Sequence, residues 1–356
     1  MKIWQRHFLK EFFQILFLFL FGIYGLFVLI DYSSRSGTYF LSQLSYKELG
    51  QFYFSVFFER LDILLPFALV VATVKTLTSL NLRNELVSLL SSGVPLKTLM
   101  RPFVAVGLLC TLLLYLNSEI FFPLAYRQIN FLKQMHQDEK PKNDNGKNIY
   151  ALEVLDQGKL LYHAYDTYHE AFSDVIWIRE PGDIYRMRYL NPHGTIPVGT
   201  GVDHFERPEG GRMRLSATFE KLNLPQMKFN PISLRLSTMI PREEPLSSLA
   251  KEVPNAFRRS KDDASSAILT SFFHRLFMPW LCLLAVIGPA PWCLRFTREL
   301  SVFMIYLVSI AALVSFYLVM NAAQILGESQ VFPPLLAIGV PFGLYAAYFG
   351  VKYWRM

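Results

Sequence analysis

Apolar residues run almost unbroken in six stretches of the chain, three toward each end, while polar residues dominate the middle. A bilayer core of about 30 Å is crossed by about 20 helical residues at about 1.5 Å each. The first stretch, Phe12 to Ile30, carries no charge and is flanked by Lys2, Arg6 and Lys10 before it and Asp31 after it. It exceeds the roughly 7 to 15 apolar residues of a signal peptide and no small-residue cleavage site follows, so an uncleaved span is predicted. The second runs from about Leu61 to Leu80, with Asp62 at one end and Lys75 close enough to the other to snorkel. The third begins near Leu99 and continues through Leu116 toward Pro123. The fourth contains Leu276 to Ala290, which crosses only if its helix extends back through Ile268; His274 and Arg275 then lie near a membrane boundary. The fifth is Val302 to Ile325, and the sixth is Phe332 to Val351.

The middle segment has a different period. Short β-prone runs, Lys159 to Tyr165, Val175 to Arg179, Ile184 to Tyr189 and Arg212 to Phe219, are separated by turn signals at Pro181-Gly182, Asn191-Pro192 and Glu209-Gly210-Gly211. Such spacing predicts a β-sandwich or jelly-roll domain, with a polar loop at Gln137 to Lys147. The fold class expected is α+β: six transmembrane helices in two groups of three with an inserted β-jelly-roll. The expected division is 1–127 for the first three spans, 128–261 for the β domain and 262–356 for the last three.

Composition agrees with a membrane protein. Hydrophobic residues make up 52% of the chain and Phe alone numbers 31, too rich for a soluble fold. The net charge of +7 is spread over the N-terminal segment, the Arg83 to Arg101 loop, the Arg295 to Arg298 loop and the C-terminal tail, and the turn around Glu328 has no base. Because Lys and Arg are retained in the cytoplasm, both termini are expected there, with the middle segment periplasmic. This placement gives no support to a nucleic-acid partner. Cys110 and Cys282 fall inside apolar stretches and Cys293 just after one, which excludes a disulfide framework or a zinc site.

Between the second and third spans, Leu82, Leu86, Leu89 and Leu90 fall on one helical face, with Arg83, Asn84, Glu85 and Ser88 largely on the other. Gly93 suits a left-handed C-terminal cap and Pro95 the first turn of the next helix. The pattern predicts a short helix along the membrane surface with a polar edge for a partner, but on periodicity alone an ordinary amphipathic connector is the preferred reading.

The stretch from Pro66 through Arg101, above all LRNELVSLLSSGVPLKTLMRP, resembles the coupling region of the LptF/LptG permeases of lipopolysaccharide export. Further along, Glu119 with Pro123, Arg275 with Pro279, Gly288 with Pro289 and the pair Pro333-Pro334 stand in the order of that family's span motifs, with a lean toward the LptG type. The resemblance implies that Glu85, Leu86, Leu89 and Gly93 dock into a cytoplasmic ABC ATPase dimer. It also implies a homologous permease subunit, periplasmic bridge proteins and lipopolysaccharide as partners. Nucleotide is bound by the ATPase; this chain has no GxxxxGK[ST] loop, and neither a cofactor, a metal site nor a catalytic residue is expected in it.

A lipopolysaccharide site needs an apolar cavity with cations at the outer boundary, and Lys133, Arg35, Arg60 and Arg275 are the candidates for lipid phosphates. Lys133 lies at the resemblance's spacing after Pro123 for a substrate-contacting base. Val28 stands where the LptG type has a lysine three residues before the terminal aspartate, here Asp31. For Arg35, Arg60 and Arg275 the alternative is anchoring of helix ends. The cluster Arg258, Arg259, Lys261, Asp262 and Asp263 reads as a solvated charge run, and His163, Asp166 and His169 fit no standard metal spacing. Two rivals are a mechanotransmission subunit that drives a periplasmic partner without carrying lipid, and a lipid-modifying membrane enzyme. The second lacks GxSxG and paired carboxylates within the spans.

Overall fold

The computed structural model of the chain describes residues 3–35, 44–136, 150–154, 158–166, 169–193, 196–207, 211–241, 243–258, 263–294 and 301–355. The expected loop Gln137 to Lys147, the Arg295 to Arg298 loop, and Arg259, Lys261 and Asp262 lie outside these residues.

Among the described residues, six helices are long and apolar enough to cross a membrane. The first is α1, Ile3–Arg35, and the second α2, Tyr46–Leu82. A short helix α3, Glu85–Ser91, leads to α4, Leu96–Leu116, which continues through a π-helical turn, Asn117–Phe121, into α5, Phe122–His136. The fourth span is α8, Asp263–Phe277, a 3-10 turn at Met278–Trp280, α9, Leu281–Ile287, and α10, Ala290–Cys293. The fifth and sixth are α11, Val302–Glu328, and α12, Pro334–Trp354.

The fourth span is segmented because Pro279, Pro289 and Pro291 each remove a backbone donor from the helical ladder. Glycines bring its neighbours close. A Cβ on Gly107 of α4 would meet Val286 at 3.3 Å, and one on Gly327 of α11 would meet the Thr270 hydroxyl at 2.8 Å. Small residues at such crossings supply the close packing that drives helix association in lipid. The second span sits centrally and is mostly buried, whereas the first and sixth expose most of their surface. That outer surface is apolar, with Leu18, Leu26, Leu29, Phe303 and Leu344 all exposed, as contact with lipid requires.

The second helix begins at Tyr46 and not near Leu61 as expected, so Asp62 lies well inside a 37-residue helix and not at its end. The Ser45 N–H donates to the Glu48 carboxylate (2.8 Å), fixing the start, and Phe52, Tyr53 and Val56 bury against Ile129 and Leu132 of α5. These two helices extend the bundle together toward the β region.

Between the third and fourth spans lie strands β1 Tyr150–Glu153, β2 Lys159–Tyr162, β3 Ala164–Asp166, β4 Ala171–Glu180, β5 Asp183–Asn191, β6 Val198–Glu206 and β7 Arg214–Asn223. They form one antiparallel sheet, ordered β1-β2-β4-β5-β6-β7, with β3 also paired to β4. The inserted β domain is as expected for an α+β membrane protein. Among the described residues, however, its strands follow one another as a meander without the crossovers of a jelly roll, because short turns such as Pro181-Gly182 return each strand beside its predecessor. Trp177, Phe172, Leu160 and Met187 fill its core. Two helices that periodicity did not reveal, α6 Pro231–Thr238 and α7 Leu246–Arg258, connect the sheet to the fourth span, packing Leu236 and Leu249 on Ile268.

Candidate functional site

The bundle has two ends, defined by contacts. At one, Glu11 near the start of α1 accepts from Ser79 (3.4 Å) and pairs with Arg83 (3.8 Å), Asn81 donates to the Cys293 carbonyl (3.3 Å), and Lys97 lies 5.5 Å from the Trp354 ring. The starts of α1 and α4 and the ends of α2, α10 and α12 therefore share this end. Helix α3 sits there. Its left-handed Asn84 (φ 60°) turns the chain out of α2. At its other terminus Gly93 adopts φ 84°, its N–H donates to Leu90 O (2.9 Å), and the Val94 N–H donates to Leu89 O (3.1 Å). That pair of bonds is the Schellman motif expected from Gly93. Pro95 occupies the N-cap of α4, one position earlier than expected.

Leu86 is fully buried, and Leu89 and Leu90 pack against the bundle core from a half-buried position. Leu82, expected on the same face, ends α2 instead and is exposed. Glu85 is half-buried and makes no hydrogen bond or ion pair among the described residues. Helix α3 is thus anchored by one leucine and presents a free carboxylate, exposed Val87 and exposed Ser88 at the surface.

At the other end, next to the sheet, polar groups are tied to one another. The π-helical turn places Glu119 so that it accepts from the backbone N–H of Ser247 (3.0 Å) and from its hydroxyl, which caps the N-terminus of α7 with a negative charge. Arg275 donates from Nη1 to Glu244 O and from Nη2 to Pro241 O, both 2.7 Å, and lies 4.7 Å over the Phe122 ring. Asn130 donates to Glu243 (3.0 Å) and Arg127 pairs with Glu244 (3.7 Å). In α6 and α7, Arg235 pairs at 2.9 Å with Glu252, which is almost fully buried.

A chamber of about 490 Å³ opens among the second, third, fourth and fifth spans at this end. Arg60 and Arg275, two of the candidate bases, both line it. Arg60 is exposed and makes no hydrogen bond or ion pair among the described residues, whereas Arg275 is already engaged by the two carbonyls. Lys133 and Arg35 lie on helices α5 and α1, but their side chains are outside the described residues. Sequence reading missed the rest of the lining. Asn321, Gln324 and Glu328 recur at helical spacing and put a polar stripe on the last turns of an otherwise apolar span, a legible signal. The Gln324 amide donates to Glu328 (2.8 Å).

In the β domain, His169 meets Asp166 at 2.7 Å, but His163 faces Asp174 at 3.5 Å, so the two histidines do not converge. No group of three His, Cys, Asp or Glu among the described residues is placed to hold a metal. His204 bonds to Asp183 (2.7 Å) and stacks on Tyr185 at 4.2 Å. Burial, with Asp183 adding to it, raises the Tyr185 hydroxyl above its ordinary pKa.

Compared with known families, the chain matches, over residues 6–355, the model described as lipopolysaccharide export system permease LptF/LptG. No curated protein matches it.

Proposed function

The chain belongs to the LptF/LptG family of lipopolysaccharide export permeases, transport proteins integral to the inner membrane, and from that premise we propose how it works. It pairs with a homologous permease, and lipopolysaccharide enters laterally between the helices of the two. A cytoplasmic ABC ATPase dimer closes on ATP and pushes α3, with Glu85, Leu86, Leu89 and Gly93 forming the docking element. The spans collapse on the lipid, which moves to the β domain and onto periplasmic bridge proteins. ATP is bound and hydrolysed by the partner; the chemistry of this chain is binding and movement. Both termini are cytoplasmic and the sheet is periplasmic, by the distribution of bases. The order of Glu119, Arg275, Gly288-Pro289 and Pro333-Pro334 favours the LptG side of the family.

The observation that carries this reading is the construction of α3. A surface helix held by a buried Leu86, closed by a glycine cap and showing an unpartnered carboxylate is built to be pushed by something else. Lys133 and Arg35 are assigned to lipid phosphates, and Arg60, on the chamber wall, to the adjoining head group. Arg275 keeps that assignment only in part, since its guanidinium is held by carbonyls. The mechanotransmission alternative needs no lipid site and is separated by the same experiment. The tagged chain, extracted gently, brings down an ATPase, a second permease and lipopolysaccharide. Recovery of the ATPase without lipopolysaccharide supports the rival, and recovery of neither overturns the assignment.

A further inference from the structure

The chamber at the outer end differs from the lipid-facing surfaces of the same spans. Three carboxylates, Glu59, Asp62 and Glu328, line it together with the amides of Asn117, Asn321 and Gln324. Polar groups at membrane depth are costly and mark functional sites by default. Two of their acceptor atoms, Asp62 Oδ1 and Asn117 Oδ1, are buried and without a hydrogen-bond partner. Asn117 is only 4% exposed. Its Nδ2 donates to Phe58 O (3.1 Å), which fixes the amide beside the chamber. The accessible wall is rich in acceptors, with the carboxylates of Glu59, Asp62 and Glu328 and the amide oxygens of Asn321 and Gln324, so it suits a group that donates.

The chemistry narrows the class. A phosphate is disfavoured, because three carboxylates outnumber the one uncommitted base on the wall, Arg60, and Arg275 is already held by Pro241 and Glu244. A metal ion is disfavoured, because no three ligating side chains converge among the described residues. A group carrying hydroxyls in several directions fits both halves of the wall: each hydroxyl donates to a carboxylate or amide oxygen and accepts from Arg60 or an amide N–H. Phe122 and Tyr150 add aromatic surface for the C–H face of a ring. A volume of about 490 Å³ holds a group of one or two such rings. We infer that this chamber binds a saccharide ring of the exported glycolipid, apart from the bases that meet its phosphates. The inference rests on the permease reading above.

The test is photo-crosslinking in membranes that contain the assembled transporter. A photoreactive amino acid replaces Ser271 or Asn321 in the chamber, or Leu18 on the exposed face of the first span as a control. Lipopolysaccharide is expected to crosslink from all three positions. Asp62→Asn and, separately, Asn321→Leu are expected to lower capture from Ser271 by about tenfold, the loss of one hydrogen bond, while leaving capture at Leu18 unchanged. Excess free hexose that reduces capture from Ser271 but not from Leu18 assigns recognition to the sugar. Capture at Leu18 with none at Ser271 or Asn321 overturns the saccharide chamber and leaves the permease reading intact. Capture nowhere overturns the permease reading itself. Stabilisation of the complex by sodium or potassium over choline, lost in Asp62→Asn and without chamber capture, assigns the space to a cation and overturns the inference. Co-purification of the partner subunits confirms that each variant folds; where Asp62→Asn does not assemble, Asn321→Leu with capture from Ser271 gives the same readout.

Discussion

The two ends of the helical bundle are built on opposite principles. At the sheet end the groups that tie the spans to the segments flanking the sheet are paired among the described residues, Glu119 with Ser247, Arg275 with two carbonyls, Asn130 with Glu243 and Arg235 with Glu252, while Arg60 on the chamber wall is not. At the other end, α3 keeps Glu85 unpartnered and holds on through Leu86. Satisfied networks rigidify and specify one arrangement, while unsatisfied surface groups wait for a second molecule. The contrast teaches where force enters and where it is delivered. Under the proposed function the α3 end receives a partner, and the sheet end is the joint that carries the motion.

The largest effect on stability is expected where that joint is tightest. Replacing Arg275 by Met removes two charge-assisted bonds and a contact with Phe122, and leaves the carbonyls of Pro241 and Glu244 unpaired. A loss of about 3 kcal/mol is expected, read as a lower melting temperature of the detergent-solubilised complex. The ATPase should still co-purify, since α3 is untouched; its loss in parallel would show that the two ends are not separable. Glu119→Ala comes next. It deprives the N-terminus of α7 of its acceptor and is expected to cost about 2 kcal/mol in the same melt. Transport into the periplasm should fall by more than ATP hydrolysis does, because the joint loosens while docking persists.

How much of this contrast the sequence discloses follows from the physics of each part. Long apolar runs report burial in lipid directly, so all six spans were legible, including the extension of the fourth back through Ile268. The start of the second helix was not, because Lys47, Glu48, Glu59 and Arg60 interrupt the apolar pattern, and the packing of Phe52 and Val56 on α5 is a long-range contact that local periodicity cannot report. Alternation in the middle segment gave strands, but connectivity depends on which neighbour each strand meets, and the meander emerged only from the pairing. At the α3 end, Gly93 announced its cap because few other residues take φ near +84° without strain. At the sheet end, Arg275 was visible as a base, but its direction toward Pro241 and Glu244 was not. The chamber is assembled from four spans, and no single segment contains it.

A smaller effect belongs to the α3 end. Gly93→Ala places a Cβ where no atom lies within 4 Å, so the only cost is the left-handed backbone, about 1 kcal/mol. The melt should shift slightly, and α3 should fray enough to weaken ATPase retention. A shift as large as that of Arg275→Met would mean that α3 is structural, and the contrast between the ends would be lost.

The smallest effect on the fold should accompany the most complete loss of assembly. Glu85 has no partner among the described residues, so Glu85→Lys breaks no bond within the chain. Its charge sits in the first turn of a short helix, where reversal forfeits at most about 0.5 to 1 kcal/mol of interaction with the helix dipole. The melting temperature of the permease without its ATPase should therefore scarcely move. An interface that seats a carboxylate, by contrast, meets an uncompensated lysine, and truncating or reversing one member of such a pair costs about 2 to 5 kcal/mol of binding. The expected result is a permease that folds and retains its homologous partner but no longer co-purifies with the ATPase. A compensating reversal on the ATPase should restore it. If Glu85→Lys leaves both the ATPase and export intact, α3 is only a connector, and the motor must grip the bundle elsewhere.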